Sequence, residues 1–258
     1  MMAERTAPGV EHALRLFREY FFSRTDVVAF FGPWNSPHPG KGGEYLDGLL
    51  TAHLLGQEGP EAKLRYRKRD GATVAASGRF RIGSYTPAPG NKTKWLCIDF
   101  DGHGHAGALQ DPEAAARRTQ DLLAAKSVPS HLERSGGGKG WHLWVFFTEP
   151  VPAAKARRLA LELAPRDAPL ATEGLADPRK ARGIEVFPKQ SKIKSKGYGN
   201  LVWLPWWAGA QESGNIFYRA GDNGSLEPYV PDGFTTVDEA LLDQVLTSLP
   251  EEDDCPEE

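Results

Sequence analysis

Cysteine and methionine are scarce in this chain, two of each in 258 residues, and long apolar runs are missing altogether. Cys97 and Cys255 are too few for a disulfide framework or a cysteine-built zinc site. No zinc is expected, and any metal must be held by carboxylates or histidines. No stretch approaches the roughly 20 apolar residues that span a bilayer. Met1 to Val10 has no hydrophobic segment that would serve as a signal peptide. The expectation is a cytoplasmic chain with no membrane partner. Hydrophobic residues make up 40% and charged residues 25%, a mix that excludes disorder, collagen and coiled coil and leaves one large or two small globular domains.

The net charge of −3 hides an uneven distribution, because six of the 34 acidic residues lie in the last eight positions. Residues 1–250 carry 31 basic against 28 acidic side chains, a net +3. The basic residues cluster twice, at Lys63, Arg65, Arg67, Lys68, Arg69, Arg79 and Arg81, and at Arg179, Lys180, Arg182, Lys189, Lys192, Lys194 and Lys196. Two such patches point to a polyanionic partner, with solvated loops as the alternative for either patch alone.

Val10, Leu14, Phe17 and Phe21 recur at helical spacing, as do Leu46, Leu49, Leu50, His53 and Leu54, around a Gly/Pro-rich loop at 32–43. Strands are expected at 80–86 and 94–101. Asp111 as N-cap, Pro112 at the first helical position and Glu113 in the first turn predict a helix to about Lys126. Strands at 130–134 and 141–147 follow around a glycine loop, then a helix at 151–164, strands at 183–187 and 200–204, and a last helix at 237–248. Strands interleaved with helices mean a mixed α/β domain. There is no internal repeat.

Three segments carry chemistry. In Trp95-Leu-Cys-Ile-Asp-Phe-Asp-Gly-His-Gly-His105, alternation puts Leu96, Ile98 and Phe100 on one face and Trp95, Cys97, Asp99 and Asp101 on the other. Two carboxylates side by side at a strand's end repel each other and are costly to desolvate. A cation between them resolves both problems, and hard oxygen ligands select Mg²⁺ or Mn²⁺. A strand ending in a polar Asp-Gly turn is the plainer alternative. Gly102, Gly104 and Gly107 match G-x-G-x-x-G literally, but the aspartates in front of them would repel a pyrophosphate, so a dinucleotide site is rejected. His103 and His105 read as surface histidines rather than as a hydrolase metal site.

In the second segment, 131–147, Lys139 is followed by Gly140 rather than Ser or Thr, so it is not a P-loop. Its glycines around a lysine still form a backbone-amide cradle suited to phosphate oxygens. His142 and Trp144 share one face of the strand that follows. In the third segment, Glu185 faces away from Ile184 and Val186 on its strand and needs a partner, ahead of lysines 189, 192, 194 and 196. A metal for Glu185 and a triphosphate or nucleic-acid backbone for the lysines meets both needs. An exposed edge strand with a charged loop is the alternative.

In this order the three segments resemble the archaeo-eukaryotic primase superfamily of primase-polymerases, nearest the bacterial, plasmid and phage branch that includes the primase domains of TOTE conflict systems and CRISPR-associated primase-polymerases. The likeness runs from about Phe17 to Leu204, through Leu-Phe-Arg at 16–18, Arg24-Thr-Asp, His53-Leu-Leu-Gly56, Leu-Glu-Arg-Ser-Gly at 132–136, Phe-Pro-Lys-Gln at 187–190 and Gly-Asn-Leu-Val at 199–202. It departs at Gly140, where many relatives carry Ser, at Glu185, where several have Asp, and in lacking an N-terminal cysteine cluster.

The resemblance implies an α/β (α+β) fold in which an RRM-like catalytic sheet, about 94–250, packs against an N-terminal α/β module, about 10–93. Together they make one catalytic domain over 1–250, with 251–258 an acidic tail or linker. It implies a DNA primase and DNA-dependent polymerase that makes and extends primers by two-metal nucleotidyl transfer, its partners being a single-stranded DNA template, a primer strand and NTPs or dNTPs. A longer parent protein with a helicase or accessory domain fits the same picture. Asp99, Asp101 and Glu185 would hold two Mg²⁺ or Mn²⁺ ions. Ser135, Gly138, Lys139, Gly140, His142 and Lys189 would hold the nucleotide. Arg65, Arg67, Lys68, Arg69, Lys192, Lys194 and Lys196 would track the nucleic-acid backbone, with exposed aromatics such as Tyr85, Trp203, Trp206 or Trp207 stacking bases. Two rival readings stand beside it, a metal-dependent phosphodiesterase or nuclease and a non-catalytic single-stranded nucleic-acid-binding module.

Overall fold

The computed structural model describes residues 7–31, 37–56, 65–67, 73–75, 81–102, 108–169, 183–194, 197–210 and 214–249. In chain order, α1 (Val10–Leu16) runs into a π-helical turn at Phe17–Phe21 and is followed by β1 (Val27–Phe31), β2 (Pro37–Lys41), α2 (Leu46–Leu55), β3 (Arg65–Arg67), β4 (Thr73–Ala75) and β5 (Ile82–Thr86). Then come β6 (Lys92–Phe100), α3 (Pro112–Ala125), β7 (His131–Arg134), β8 (Trp141–Pro152), α4 (Ala153–Leu163) and β9 (Ile184–Phe187). The chain continues through β10 (Asn200–Trp203), β11 (Phe217–Ala220), β12 (Leu226–Tyr229), β13 (Thr236–Val237) and α5 (Glu239–Thr247). No helix among the described residues is long and apolar enough to cross a membrane.

The expected mixed α/β architecture is present. The larger sheet has the order β12-β11-β7-β8-β6-β9, with β13 added in parallel to β8. Within it, β6-α3-β7-β8-α4-β9 is a βαββαβ unit with spatial order β7-β8-β6-β9, the split arrangement of ferredoxin-like and RRM-like sheets. Helices α3 and α4 lie against its strands. The smaller sheet, β10-β5-β1-β2, takes three of its four strands from the N-terminal half and its edge strand β10 from far along the chain. That return of the chain ties the two sheets together.

The expected cap of α3 is realised, with the Asp111 side chain accepting from the Ala114 amide at 2.9 Å and Pro112 in the first turn. Three expectations are corrected. Residues 37–41, inside the expected Gly/Pro-rich loop, form β2; it is an edge strand, where Pro37 and Pro39 need no ladder donor on the outer side. The strand expected to end at 147 continues through Pro152, because Val151 and Pro152 pair with Thr93 and Lys92 beyond a bulge in β6, and the next helix starts at Ala153. Between 205 and 236, where the sequence predicts no element, the structure holds β11, β12 and β13.

Aromatic packing joins the N-terminal segment to the larger sheet. The Phe21 ring lies 5.1 Å from Trp144, 5.0 Å from Phe146 and 5.7 Å from Phe234, and the Trp95 indole donates to the Phe21 carbonyl at 2.7 Å. This occupies the Trp95 and Trp144 face of the sheet and leaves Leu96, Ile98 and Phe100, all fully buried, for the opposite face. His53 on α2 adds a polar lock. Its Nδ1 accepts from the Ile82 amide at 2.9 Å, so Nε2 carries the proton and donates to the Pro205 carbonyl at 2.9 Å. Both partners are backbone groups of other segments, one leading into β5 and one following β10.

Burial pushes the His53 imidazole down to about 3, so it stays neutral in the fold while the unfolded chain protonates it near 6.5. Its contribution to stability is complete above pH 6.5 and is lost progressively as pH falls from there toward 3. The stability difference between the wild type and His53→Gln, which has no such proton, should therefore shrink by about 1.4 kcal/mol per pH unit below 6.5. Urea unfolding of both proteins at pH 7.5 and pH 5 measures this, and a pH-independent difference contradicts the neutral, fully bonded imidazole.

Candidate active site

The site is built by strand register. In the antiparallel pairing of β6 with β8, Asp99 stands opposite His142; in that of β6 with β9, Asp99 stands opposite Glu185; in that of β7 with β8, His142 stands opposite Glu133. Directly opposed residues in a pleated sheet project from the same face. One row across four strands therefore reads Glu133, His142, Asp99, Glu185. Asp101 lies just past the end of β6, where its amide donates to the Gly183 carbonyl at 2.9 Å and its carbonyl accepts from the Leu109 amide at 2.7 Å. Both backbone bonds pin the turn that carries the second aspartate.

Charge in this row is poorly compensated. The Nε2 of His142 is 3.6 Å from Asp99 Oδ1, too long for a hydrogen bond, and that oxygen is buried without any hydrogen-bond partner. Burial pushes the Asp99 carboxyl up to about 7 against the pull of His142, with Asp101, Glu185 and Glu133 adding repulsion. For His142, burial favours the neutral ring, but the carboxylates of Glu133 and Asp99 and the hydrogen bond to Glu133 outweigh it and raise the imidazole to about 9. Glu185 is held at 2.7 Å by Lys189, whose ammonium also lies over the Phe187 ring at 5.1 Å. Among the described residues no three metal-ligating side chains already form a cluster able to hold an ion.

The loop between β7 and β8 packs against this row. A side-chain carbon at Gly140 would lie 2.9 Å from the Phe100 carbonyl oxygen, 3.1 Å from Ser135 Oγ and 3.6 Å from Asp101 Oδ1, which explains why no Ser stands there. Two amides of the expected cradle are used inside the loop: Gly140 N–H donates to Ser135 Oγ at 3.1 Å and Gly138 N–H to the Ser135 carbonyl at 2.8 Å. What the loop presents outward is the exposed Lys139 side chain.

The other expected binding residues are more scattered. Lys192 and Lys194 are exposed on either side of half-buried Ile193, whose amide donates to Asn91 Oδ1 at 3.0 Å. Arg65 and Arg67 lie on β3, paired with β4, while Lys68, Arg69 and Lys196 fall outside the described residues. Tyr85 and Trp206, expected as exposed stacking aromatics, are buried at 6% and 4% exposure, and Trp203 and Trp207 are half-buried. Among the described residues the exposed ring is Tyr198, 5.8 Å from the Tyr85 ring and with the Arg24 guanidinium 5.8 Å above it.

The sequence profile described as "TOTE conflict system, Archaeo-Eukaryotic Primase domain" matches residues 50–229, more than half of the chain. The chain belongs to the archaeo-eukaryotic primase family of TOTE conflict systems. No curated protein matches it. A solved structure, the polymerase domain from Mycobacterium tuberculosis Ligase D in complex with DNA, is similar over 93% of this chain and 85% of its own, at 17% identity and a TM-score of 0.32.

Two residues around this row escape the sequence reading. Glu133 is fully buried and accepts from His142 Nδ1 at 3.0 Å, from Trp144 Nε1 at 2.6 Å and from Asn215 Nδ2 at 2.8 Å. The hairpin was the available signal, since pairing Arg134 with Trp141 across the glycine loop forces Glu133 opposite His142. Arg81, read only as part of a basic cluster, has its guanidinium between the rings of Trp203, at 5.0 Å, and Trp207, at 5.2 Å. A side-chain carbon at Gly136 would come within 2.6 Å of its Nη2, so the glycine loop is shaped around this arginine. Burial lowers the guanidinium to about 10, while the charges of Glu133 and Asp99 pull the other way.

Asp99 keeps its proton up to about pH 7 in the fold but loses it near 4 when unfolded. Its ionisation therefore costs stability progressively from pH 4 to pH 7 and by a constant amount above. In chelator-containing buffer, Asp99→Asn should raise the unfolding free energy at pH 8 by on the order of 2 kcal/mol, a gain that fades by pH 4. A variant no more stable than wild type at pH 8 contradicts an uncompensated charge at this position.

Proposed function

We propose that the chain is a DNA primase and DNA-dependent polymerase that makes and extends primers on a single-stranded DNA template from NTPs or dNTPs, with residues 1–250 as one catalytic domain and 251–258 as a tail or linker. The observation that carries this reading is the cross-strand row of His142, Asp99 and Glu185, in which Asp99 keeps a buried, unpartnered oxygen with Asp101 close by, in a chain of the primase family. The carboxylates of Asp99, Asp101 and Glu185 are hard oxygen donors, one of them with a buried oxygen that lacks a hydrogen bond, and they fit two Mg²⁺ or Mn²⁺ ions. Bound there, the ions would supply activation of the attacking 3′-hydroxyl and neutralisation of the departing pyrophosphate.

The chain's own groups then do the positioning on which phosphoryl transfer mainly depends. Nε2–H of His142 donates to a phosphate oxygen of the incoming nucleotide. Lys139 reaches the same triphosphate from the loop tip, with Ser135 beside it and Lys189 from the β9 side. Arg81 forms the wall behind the loop, its planar fork preorganised between two tryptophans for bidentate contact with phosphate. Lys192 and Lys194 follow the template backbone, and Tyr198 is placed to stack on a base, since a ring backed by Tyr85 and Arg24 loses little freedom on binding.

A labelled strand resolved by length on a gel separates this reading from its rivals. The primase-polymerase lengthens the strand only when nucleoside triphosphates are present; a nuclease shortens it without them, and a binding module shifts it at constant length. Asp99→Ala combined with Asp101→Ala should abolish extension while the protein stays folded, because removing clustered negative charge relieves repulsion. Extension by the double variant at more than a small fraction of the wild-type rate contradicts the assignment.

The template track has its own signature. Each phosphate contact to a single strand contributes about 0.7 to the slope of log K against log salt. Replacing Lys192, Lys194 and Lys196 with alanine should flatten that slope by up to about 2 and weaken all template sequences alike. An unchanged slope returns these lysines to the solvated surface.

A further inference from the structure

The side chain of Glu133 is fully buried, at 0% exposure, and three side chains hydrogen-bond to it. Oε2 accepts from His142 Nδ1 at 3.0 Å and from Trp144 Nε1 at 2.6 Å, and Oε1 accepts from Asn215 Nδ2 at 2.8 Å. The indole N–H can only donate. The amide of Asn215 is oriented independently, since its Oδ1 accepts from the Trp207 amide at 2.8 Å and so leaves Nδ2 for the carboxylate. The indole and the amide already donate to the two oxygens, which favours an acceptor-only carboxylate with the shared proton on Nδ1 of His142.

We propose that Glu133 is the positioning residue of the site: by accepting from Nδ1–H it fixes the ring plane of the His142 imidazolium, so that the second proton, on Nε2, is turned toward Asp99. This rests on the reading of His142 as a triphosphate contact. Glu133 itself lies one position farther along the row and touches neither nucleotide nor metal. Its effect is transmitted through the imidazole, which needs no reorientation when a phosphate oxygen arrives.

Asn215 extends the same constraint to the other wall. It sits at a φ of 64°, with its amide donating to the Arg134 carbonyl at 2.6 Å and its carbonyl accepting from the Trp206 amide at 2.7 Å. The segment that carries Trp207, one of the two rings around Arg81, is thereby anchored to the carboxylate that anchors His142. His142 on β8 directly, and the Trp207 segment behind Arg81 through Asn215, are thereby tied to one buried acceptor.

The test is a double-variant cycle in binding. Dissociation constants for a non-hydrolysable nucleoside triphosphate with Mn²⁺, and separately for single-stranded DNA, are measured for the wild type, Glu133→Gln, His142→Ala and the combination. Glutamine keeps the shape but puts an NH₂ group against one of the donors. The expected result is a loss of about tenfold or more in triphosphate affinity for Glu133→Gln, no change for DNA, and a combined variant no weaker than His142→Ala alone. Unchanged triphosphate affinity in Glu133→Gln, or losses that add in the combination, overturns the proposal while leaving the role of His142 standing. If His142→Ala alone leaves triphosphate affinity intact, the reading of His142 fails and the positioning role with it. Nitrogen-15 spectra of the wild-type imidazoles need no substitution: they should show His142 Nδ1 bearing a slowly exchanging proton, and an unprotonated Nδ1 also overturns the proposal.

Discussion

One oxygen of Asp99 is held out of water beside three other carboxylates, and the rest of the site is arranged around that constraint. Asp99 has an oxygen with no hydrogen-bond partner, and His142 is the nearest cation, at 3.6 Å. His142 is shared with a second buried carboxylate, Glu133, and the third acid of the row, Glu185, is taken by Lys189. A buried charge without a full complement of partners is among the costlier features a fold can keep. Its persistence in the centre of the larger sheet, inside a primase-family domain, is what points from structure to chemistry.

The sheet makes such an arrangement rigid. Because the pleat has a period of two, register alone decides which side chains share a face, and the antiparallel pairing of β7, β8, β6 and β9 lines up Glu133, His142, Asp99 and Glu185 without help from any loop. Loops then flank the row from two sides. The Ser135–Gly140 turn presses on Asp101 and on Arg81, and the segment after β10 brings Trp207 to the same arginine. The aromatic cluster around Phe21 fills the rest of that face and fixes the N-terminal segment against the sheet.

What could be read in the sequence was what local pattern encodes. Alternation placed Asp99 away from Leu96, Ile98 and Phe100, and turn chemistry at Asp111-Pro112 placed the start of α3. Pairing across distance was not encoded locally. That Asp99 faces Glu185 depends on β6 and β9 becoming neighbours after 80 or more intervening residues, and that β10 joins the N-terminal sheet depends on the chain's return. Glu133 lay within reach of hairpin geometry, but nothing local marks a charged residue in a short strand as buried. The Asp222-Asn223-Gly224 turn likewise announces the β11–β12 hairpin, whose strands are too short and too polar to stand out alone. Tyr85 and Trp206 were placed on the surface because the sequence gives no measure of how much of the chain folds over them.

The central claim is that the carboxylates of β6 and β9 form a divalent-cation site completed by a nucleoside triphosphate. Its most direct measurement is a titration with Mn²⁺ followed by electron paramagnetic resonance in the presence of a non-hydrolysable triphosphate. The account predicts two ions bound per chain with the nucleotide, and loss of that binding when Asp99 and Asp101 are both replaced by alanine. Absence of protein-bound Mn²⁺, or equal binding by the double variant, would contradict it.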